Sequence, residues 1–162
     1  YGTGVGDEGG FAPPVESLQE AVALVAEAIE AAGHTGKVKI GLDVAATEMA
    51  TRGGYDLNFK SRPPQIYGVD RLLDLYEDLA SSYPIISIED PFSEDDFATH
   101  ARLTTRLGAR IQIVGDDLLV TNPARIAKAA EHRSVTALLL KVNQIGTVTE
   151  AVEACQAARG HG

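Results

Sequence analysis

The stretch Ile85-Ile86-Ser87-Ile88-Glu89 decides how this chain of 162 residues folds. A short apolar run that ends on a charged residue is typical of a buried strand in a parallel sheet. Similar runs start further along, and the starts at 85, 111 and 137 are 26 residues apart. A helical pattern fills each interval, which predicts an α/β fold of repeated strand and helix units. A (β/α) barrel and an open doubly wound sheet both agree with this spacing.

Helix and strand signals extend the alternation over most of the chain. Ser17 and Glu20 predict a capped helix start, and Gly33 predicts the helix end. Predicted helices cover residues 17–32, 69–82, 94–107, 123–132 and 147–159. Predicted strands cover residues 38–44, 55–59, 85–89, 111–115 and 137–141, with a break over 61–64. Histidines 34, 100 and 132 lie at helix ends or on polar helix faces in this pattern and are expected at the surface.

Four predicted strands are each followed by a charged residue, namely Asp43, Glu89, Asp116 and Lys141. The carboxyl ends of parallel strands share one edge of the sheet, so these side chains are expected to converge. Their convergence costs free energy unless a metal ion or a charged ligand occupies the space between them. Carboxylates without companion His or Cys suit Mg²⁺ rather than Zn²⁺. A divalent ion would also lower the pKa of Lys141, which could then act as a base.

The glycine-rich opening GVGDEG at residues 4–9 matches the dinucleotide pattern G-x-G-x-x-G. That pattern requires a strand before it and a helix directly after it. Only three residues precede Gly4, Pro13 and Pro14 interrupt any immediate helix, and two acidic residues would face the pyrophosphate. A flexible loop that presents Glu8 to a ligand is the better interpretation, because glycines allow the backbone to approach closely.

Composition and charge limit the classes of partner. The net charge of −9 argues against binding to nucleic acid or to an anionic membrane surface. Cys155 is the single cysteine and cannot form an internal disulfide, which favours a reducing compartment. No apolar run has the length of a membrane span and no leader opens the chain, so a cytoplasmic location is expected. Tyr1 stands where a Met would begin a complete chain, which predicts a piece of a longer protein.

Five blocks of the sequence resemble the enolase family, in the family's order and spacing. They are residues 6–13 (GDEGGFAP), 40–45 (IGLDVA), 87–92 (SIEDPF), 114–118 with 120–123 (VGDDL and VTNP), and 139–146 (LLKVNQIG). The resemblance implies an incomplete (β/α) barrel of the TIM type. Residues 1–162 would be part of the enolase C-terminal barrel domain, with the N-terminal α+β domain and the last barrel units absent.

The resemblance also implies an activity and a role for each site residue. The activity is that of a phosphopyruvate hydratase, a Mg²⁺-dependent carbon–oxygen lyase that interconverts 2-phosphoglycerate and phosphoenolpyruvate in glycolysis and gluconeogenesis. Asp43, Glu89 and Asp116 would hold Mg²⁺, and Glu89, Asp116 and Lys141 would lie against the substrate. Lys141 would remove the C2 proton, and Glu8 would be the acid that helps the C3 hydroxyl leave. The full-length protein would be a homodimer.

Two alternatives remain open at this point. One is another proton-abstracting enzyme of the same superfamily that acts on a different carboxylate. The other is a catalytically inactive fragment, because an unclosed barrel leaves sheet edges and apolar surface exposed. Asp90 and Asp117 are expected to support the neighbouring site residues. Asn143 and Gln144 either line the site or pair with the backbone after the strand.

Overall fold

The computed structural model describes residues 3–60 and 63–162. The chain divides into two compact units, Tyr1–Val38 and Lys39–Gly162. Its helices are α1 (Leu18–Ala31), α2 (Val69–Ser82), α3 (Phe97–Leu107), α4 (Pro123–His132), α5 (Val142–Ile145) and α6 (Val148–His161). Its strands are β1 (Ile40–Asp43), β2 (Ala50–Thr51), β3 (Gly54–Asp56), β4 (Ile66–Tyr67), β5 (Ile85–Glu89), β6 (Gln112–Gly115) and β7 (Ala137–Leu138). No helix of the described part is long and apolar enough to cross a membrane.

The first unit contains α1, and both ends of this helix follow from its sequence. The Ser17 hydroxyl accepts a hydrogen bond from the Glu20 N–H at 3.1 Å. The Glu20 carboxylate accepts one from the Glu16 N–H at 2.7 Å, so one amide of the first turn and one amide just before the N-cap are satisfied. Gly33 takes a φ of +73° directly after the helix, a conformation that glycine adopts at little cost. The predicted helix over 17–32 is confirmed to within one residue at each end.

The second unit is built on a parallel sheet with the strand order β1-β5-β6-β7. All three neighbouring pairs are parallel, and the strands lie side by side in the order in which they occur in the chain. A doubly wound sheet reverses its strand order at a switch point, whereas a barrel does not. The α/β prediction is therefore confirmed, and the winding favours the barrel type over the doubly wound type. Within the described residues the sheet has four strands and does not close on itself.

Helices cover this sheet and bury its apolar side chains. Strand β5 places Ile88 and strand β6 places Ile113 at 0% exposure. A second apolar cluster lies between α3, α4, α6 and the turn after β6; its buried members are Phe97, Leu118, Leu119, Ile126, Ala129 and Ala154. Burial of these side chains, at about 1.5–3 kcal/mol for each large one, is what fixes the strand ends in place.

A small antiparallel sheet of order β2-β3-β4 is inserted between β1 and β5. The strand predicted over 55–59 is shorter than expected, because the Asp56 carboxylate ends it. That carboxylate accepts hydrogen bonds from the N–H groups of Asn58 at 3.0 Å and Gln65 at 2.7 Å. Residues 61 and 62 of the predicted break lie outside the described residues.

The strand predicted over 137–141 is wrong beyond its first two residues. The Leu139 N–H still donates to the Gly115 carbonyl at 3.0 Å, but the Lys141 N–H donates to the Thr121 hydroxyl at 2.9 Å. A side chain thus replaces the neighbouring strand as hydrogen-bond partner, and the chain enters the short helix α5 directly after Lys141.

Candidate active site

The carboxyl edge of the parallel sheet carries the charged residues that follow the strands. Asp43 and Glu89 are direct cross-strand neighbours at the ends of β1 and β5. Asp116 follows the last residue of β6, and Lys141 lies three residues after the end of β7. The charges of Asp43, Asp116 and Lys141 all act on the Glu89 carboxyl group. The structure therefore brings these four predicted site residues together at one edge of the second unit.

Lys141 and Asp116 form an ion pair at the centre of this edge. The Lys141 ammonium donates a hydrogen bond to Oδ2 of Asp116. The Asp116 carboxylate is nearly buried, at 6% exposure, while the Lys141 side chain remains 42% exposed. This hydrogen bond raises the pKa of Lys141 above its ordinary value, and the charges of Glu89 and Asp117 act in the same direction. The protein's own groups therefore hold Lys141 as an ammonium, and the predicted lowering of its pKa depends on added positive charge.

Glu89 lies where negative charge is concentrated. Burial is the main cause that raises the pKa of Glu89 to about 7, and repulsion from Asp43, Asp116 and Asp90 adds to it. The Lys141 ammonium opposes this shift but does not cancel it. One ammonium thus fails to balance the carboxylates around it, which is the electrostatic situation that a divalent cation relieves.

Asp90 ties the end of β5 to the turn after β6. Its carboxylate is 4% exposed and accepts hydrogen bonds from the N–H groups of Asp116 at 3.1 Å and Asp117 at 2.7 Å. Its own N–H donates to the Val114 carbonyl at 3.0 Å. Carboxylate oxygens of Asp90, Asp116 and Asp117 lie within 4.8 Å of one another, close enough to share a metal ion. Only Asp116 belongs both to this group and to the predicted ligands, so the set Asp43, Glu89 and Asp116 remains a prediction.

Thr121 had no predicted role, and Gln144 had only an open one. The Thr121 side chain is fully buried and accepts the hydrogen bond from the Lys141 N–H. The Gln144 amide donates to Oδ1 of Asp116 at 3.0 Å. The sequence signal for Gln144 is its position just after a predicted strand end, at the sheet edge where Asp116 is also expected.

Glu8 belongs to the first unit, whereas the other four predicted site residues belong to the second. It lies exposed at the tip of a tight turn. The Gly6 N–H donates to the Gly10 carbonyl at 2.8 Å, and an antiparallel bridge joins Val5 to Phe11. The first helix begins only at Leu18, which is unlike a dinucleotide-binding turn. The expectation that the glycines form a loop presenting Glu8 agrees with this geometry.

An aromatic cluster lies beneath the loop that follows Glu89. Phe92 makes edge-on contacts with Tyr55, Tyr76 and His100 at centroid distances of 6.0, 5.8 and 5.5 Å. The Tyr76 hydroxyl donates to the Pro91 carbonyl at 2.9 Å. Contrary to the surface position predicted for it, His100 is completely buried, because its helix turns that face toward Phe92.

Parallel strands in chain order, with helices between them and charged side chains at their carboxyl ends, define a barrel-type α/β protein with its candidate site at the strand ends. The chain belongs to the enolase family, since all of residues 1–162 match the family described as enolase, C-terminal TIM barrel domain.

Curated relatives agree with this assignment. The enolases of Eimeria tenella and Solanum lycopersicum are each 54% identical to the chain and align with 99% of it. The enolase of Mastigamoeba balamuthi is 54% identical over 97% of the chain. The chain spans 37% of the length of each of these relatives.

Proposed function

We propose that the complete protein containing these residues is a Mg²⁺-dependent lyase that interconverts 2-phosphoglycerate and phosphoenolpyruvate. The observation that carries the proposal is the Lys141 ammonium held against the Asp116 carboxylate, beside Glu89, at the carboxyl edge of the sheet. Family membership supplies the substrate pair, and the site supplies one potential base among several carboxylates. An amine and acidic groups at one sheet edge suit proton removal next to a substrate carboxylate.

The donors at this edge fit a hard divalent cation. Asp43, Glu89 and Asp116 would hold Mg²⁺, because they offer only carboxylate oxygens and carry more negative charge than Lys141 balances. The chemistry that Mg²⁺ supplies when bound is stabilisation of negative charge on the substrate carboxylate. Glu89 and Asp116 are also proposed to lie against the substrate.

The chain's own groups would move two protons. Neutral Lys141 takes the C2 proton of 2-phosphoglycerate and becomes an ammonium. Protonated Glu8 gives its proton to the C3 hydroxyl, which leaves as water. The Asp116 carboxylate holds the Lys141 amine in position before and after proton transfer. Because the surrounding carboxylates favour the charged form of Lys141, its action as a base requires positive charge close to them.

The role of Lys141 can be tested by exchange of the C2 proton of 2-phosphoglycerate with deuterated water, followed by NMR. Lys141→Arg keeps a cation beside Asp116, but a guanidinium does not act as a base at neutral pH. Both Lys141→Arg and Lys141→Ala are expected to slow exchange by about 100-fold or more. The matched control is Lys128→Ala, which changes an exposed lysine on α4 and should leave exchange unchanged.

Exchange that persists in Lys141→Arg would overturn the assignment of the base. Absence of 2-phosphoglycerate turnover in the unsubstituted protein would overturn the proposed function itself. In that case turnover of another substrate carboxylate would indicate a different proton-abstracting member of the superfamily.

Family membership also supports proposals about the protein as a whole. We propose that residues 1–162 form part of the barrel domain of a longer protein, which adds an N-terminal α+β domain and further barrel units. We propose a cytoplasmic homodimer that binds no nucleic acid, in keeping with the net charge of −9. Light scattering on the complete protein tests the oligomeric state.

A further inference from the structure

We infer that Thr121 and Gln144 are positioning residues that fix the Asp116 carboxylate and the Lys141 main chain relative to each other. This inference rests on the proposed function, in which Lys141 is the base and Asp116 both holds it and binds Mg²⁺. The hydrogen bonds of these two side chains go to the Lys141 N–H, to each other and to the Asp116 carboxylate, and not to the Lys141 ammonium. Their effect is expected through the two groups that they hold.

The Thr121 hydroxyl is committed in both of its hydrogen-bonding directions. It accepts from the Lys141 N–H at 2.9 Å and donates to Oε1 of Gln144 at 3.2 Å. A contact of 3.5 Å to the Leu139 carbonyl is longer and at the limit of a hydrogen bond. Because the Thr121 side chain is fully buried, water does not replace either partner.

The Gln144 amide extends this chain of hydrogen bonds to Asp116. Its carbonyl oxygen faces the Thr121 hydroxyl, so its NH₂ group faces Oδ1 of Asp116 at 3.0 Å. Oδ2 of Asp116 accepts from the Lys141 ammonium. Lys141, Thr121, Gln144 and Asp116 therefore form a closed ring of hydrogen bonds. The ring runs from the Lys141 main chain through the neutral side chains of Thr121 and Gln144 to the Asp116 carboxylate, which accepts from the Lys141 ammonium.

The backbone that presents Thr121 is strained. Val120 and Thr121 have φ values of +43° and +53°, and both are β-branched residues for which the left-handed region is unfavourable. Each such residue costs about 1–3 kcal/mol and persists only where the surroundings enforce it. The turn is held in place by Asp116, whose carbonyl accepts from the Val120 N–H at 2.7 Å and from the Leu119 N–H at 3.0 Å. The strain places the Thr121 hydroxyl beneath the start of α5.

Neutral side chains suit this position. A lysine or arginine at 144 would compete with Lys141 for Asp116, and an acidic residue there would add to the repulsion around Glu89. The Gln144 amide fixes one carboxylate oxygen and leaves the net charge unchanged. The ring thus orients Asp116 without altering the electrostatic balance that the proposed cation has to meet.

The test compares isosteric and conservative variants of the complete protein. Thr121→Val keeps the β-branched shape and removes the hydroxyl, whereas Thr121→Ser keeps the hydroxyl and removes the methyl group. Gln144→Met keeps the length of the side chain and removes both hydrogen bonds. The matched control is Gln156→Met, which replaces an exposed glutamine on α6. The readouts are kcat and KM for 2-phosphoglycerate, Mg²⁺ affinity measured by calorimetry with Mg²⁺ alone, and the thermal midpoint.

We expect Thr121→Val and Gln144→Met to lower kcat by about 10- to 100-fold, with KM changed by less than about threefold. Thr121→Ser should recover kcat to within about threefold of the unsubstituted protein. Gln144→Met should weaken Mg²⁺ binding by about 10-fold, because one Asp116 oxygen loses its fixed partner. The variant that combines Thr121→Val and Gln144→Met should have a kcat only slightly below that of the more impaired single variant, since both changes break the same ring of hydrogen bonds.

Several outcomes would overturn the inference. Thr121→Val and Gln144→Met variants that melt earlier but keep kcat and Mg²⁺ affinity would show a structural role only. Equal losses of kcat in Thr121→Ser and Thr121→Val would show that the Thr121 hydroxyl is not responsible for the effect. If Thr121→Val fails to fold, Gln144→Met decides the matter, because its side chain is only partly buried. An inactive unsubstituted protein would instead count against the proposed function, and Mg²⁺ affinity would still test the ring.

Discussion

The His100 imidazole is enclosed by protein on all sides, at 0% exposure. Its Nδ1 lies 2.8 Å from the Asp96 carbonyl oxygen, and its Nε2 has no hydrogen-bond partner among the described residues. Burial lowers the pKa of His100, while the Asp96 carbonyl and the charges of Asp90 and Asp96 act in the opposite direction. The neutral imidazole is therefore the form that folding favours.

This lowered pKa predicts that His100 makes the protein less stable in acid. The unfolded chain binds the proton near pH 6.5, whereas the folded chain binds it only at lower pH. The free energy of unfolding should therefore fall below pH 6.5, by up to about 1.4 kcal/mol per pH unit from this residue. Urea unfolding at pH 7.5 and 5.5 isolates the His100 contribution as the difference between the unsubstituted protein and His100→Gln, because protonation of Glu89, whose pKa is raised to about 7, stabilises both proteins over the same pH range. The loss of stability at pH 5.5 relative to pH 7.5 should be smaller in His100→Gln, or the gain larger. The exposed His34→Gln should keep the full pH dependence, and equal dependence in both variants would contradict the prediction.

Single residues differ in how far the sequence reveals them. Asp43, Glu89, Asp116 and Lys141 could be selected because each follows an apolar run. Thr121 could not, since its importance comes from a left-handed backbone and from partners distant in the chain. For His100 a signal existed: the buried residues of α3 are Phe97, Thr99, His100, Leu103 and Leu107, and most of them follow helical spacing. Histidine is polar by composition, and only the apolar spacing of its helix neighbours indicates that His100 is buried.

The antiparallel sheet β2-β3-β4 supports the loop after β5 through one strand. Tyr55 of β3 contacts Phe92, and its hydroxyl accepts a hydrogen bond from the Ser93 N–H at 3.0 Å. Phe92 itself is completely buried and lies three residues after Glu89. The inserted sheet is thus coupled to a strand end of the site by an aromatic contact and a hydrogen bond.

Gly54→Ala is expected to disrupt this inserted sheet. Gly54 has a φ of +134°, and a Cβ there would lie 2.1 Å from the Tyr67 carbonyl oxygen on β4. The strain and the clash together should lower the free energy of unfolding by about 3 kcal/mol or more, as measured by denaturant unfolding. At Gly53, the matched control, a Cβ would meet Ile66 Cγ2 at 3.7 Å, which is an ordinary contact. Equal stability of Gly54→Ala and Gly53→Ala would refute the expectation.

The boundaries of helices and strands were predicted well where apolar spacing sets them. They were predicted poorly where a side-chain hydrogen bond sets them. Strand β5 and helices α2 and α4 have the predicted limits, because apolar spacing, Asn122 and Pro123 mark them. Helix α3 begins at Phe97 rather than at 94, since the Asp96 carboxylate accepts from the Thr99 N–H and caps it there. Strand β7 ends early because the Thr121 hydroxyl takes the Lys141 N–H. The Thr121–Lys141 contact joins residues 20 positions apart and leaves no local pattern in the sequence, whereas Asp96 at the start of α3 is a local capping signal.

At the scale of the molecule, strand order decided what spacing left open. The repeat of 26 residues was compatible with two windings, and only the pairing β1-β5-β6-β7 distinguishes them. The order depends on which strand edges meet in space, whereas the repeat reports only how long each unit is. The spacing alone therefore predicted the fold class and the edge that carries the candidate site, whereas the barrel winding was predicted only through the resemblance to the enolase family.

The charge excess at the strand ends predicts that Mg²⁺ stabilises the complete protein. A cation that binds only the folded state should raise the free energy of unfolding by about 2.7 kcal/mol at 100 times its dissociation constant. Asp43→Asn should reduce this gain, whereas the exposed Asp78→Asn should retain it. Denaturant unfolding with Mg²⁺, with chelator, and with NaCl at matched ionic strength measures the effect. A gain that NaCl reproduces would reflect screening of the net charge of −9 and would refute a specific site.

The contact of Phe92 with two tyrosines makes the packing of this region observable by spectroscopy. The chain has no tryptophan, so its near-ultraviolet signal comes mainly from five tyrosines. Tyr55 and Tyr76 are both buried against Phe92, in an asymmetric setting beneath the loop that follows Glu89. Two of the five tyrosines therefore report the packing under this strand end through near-ultraviolet circular dichroism, without any introduced label.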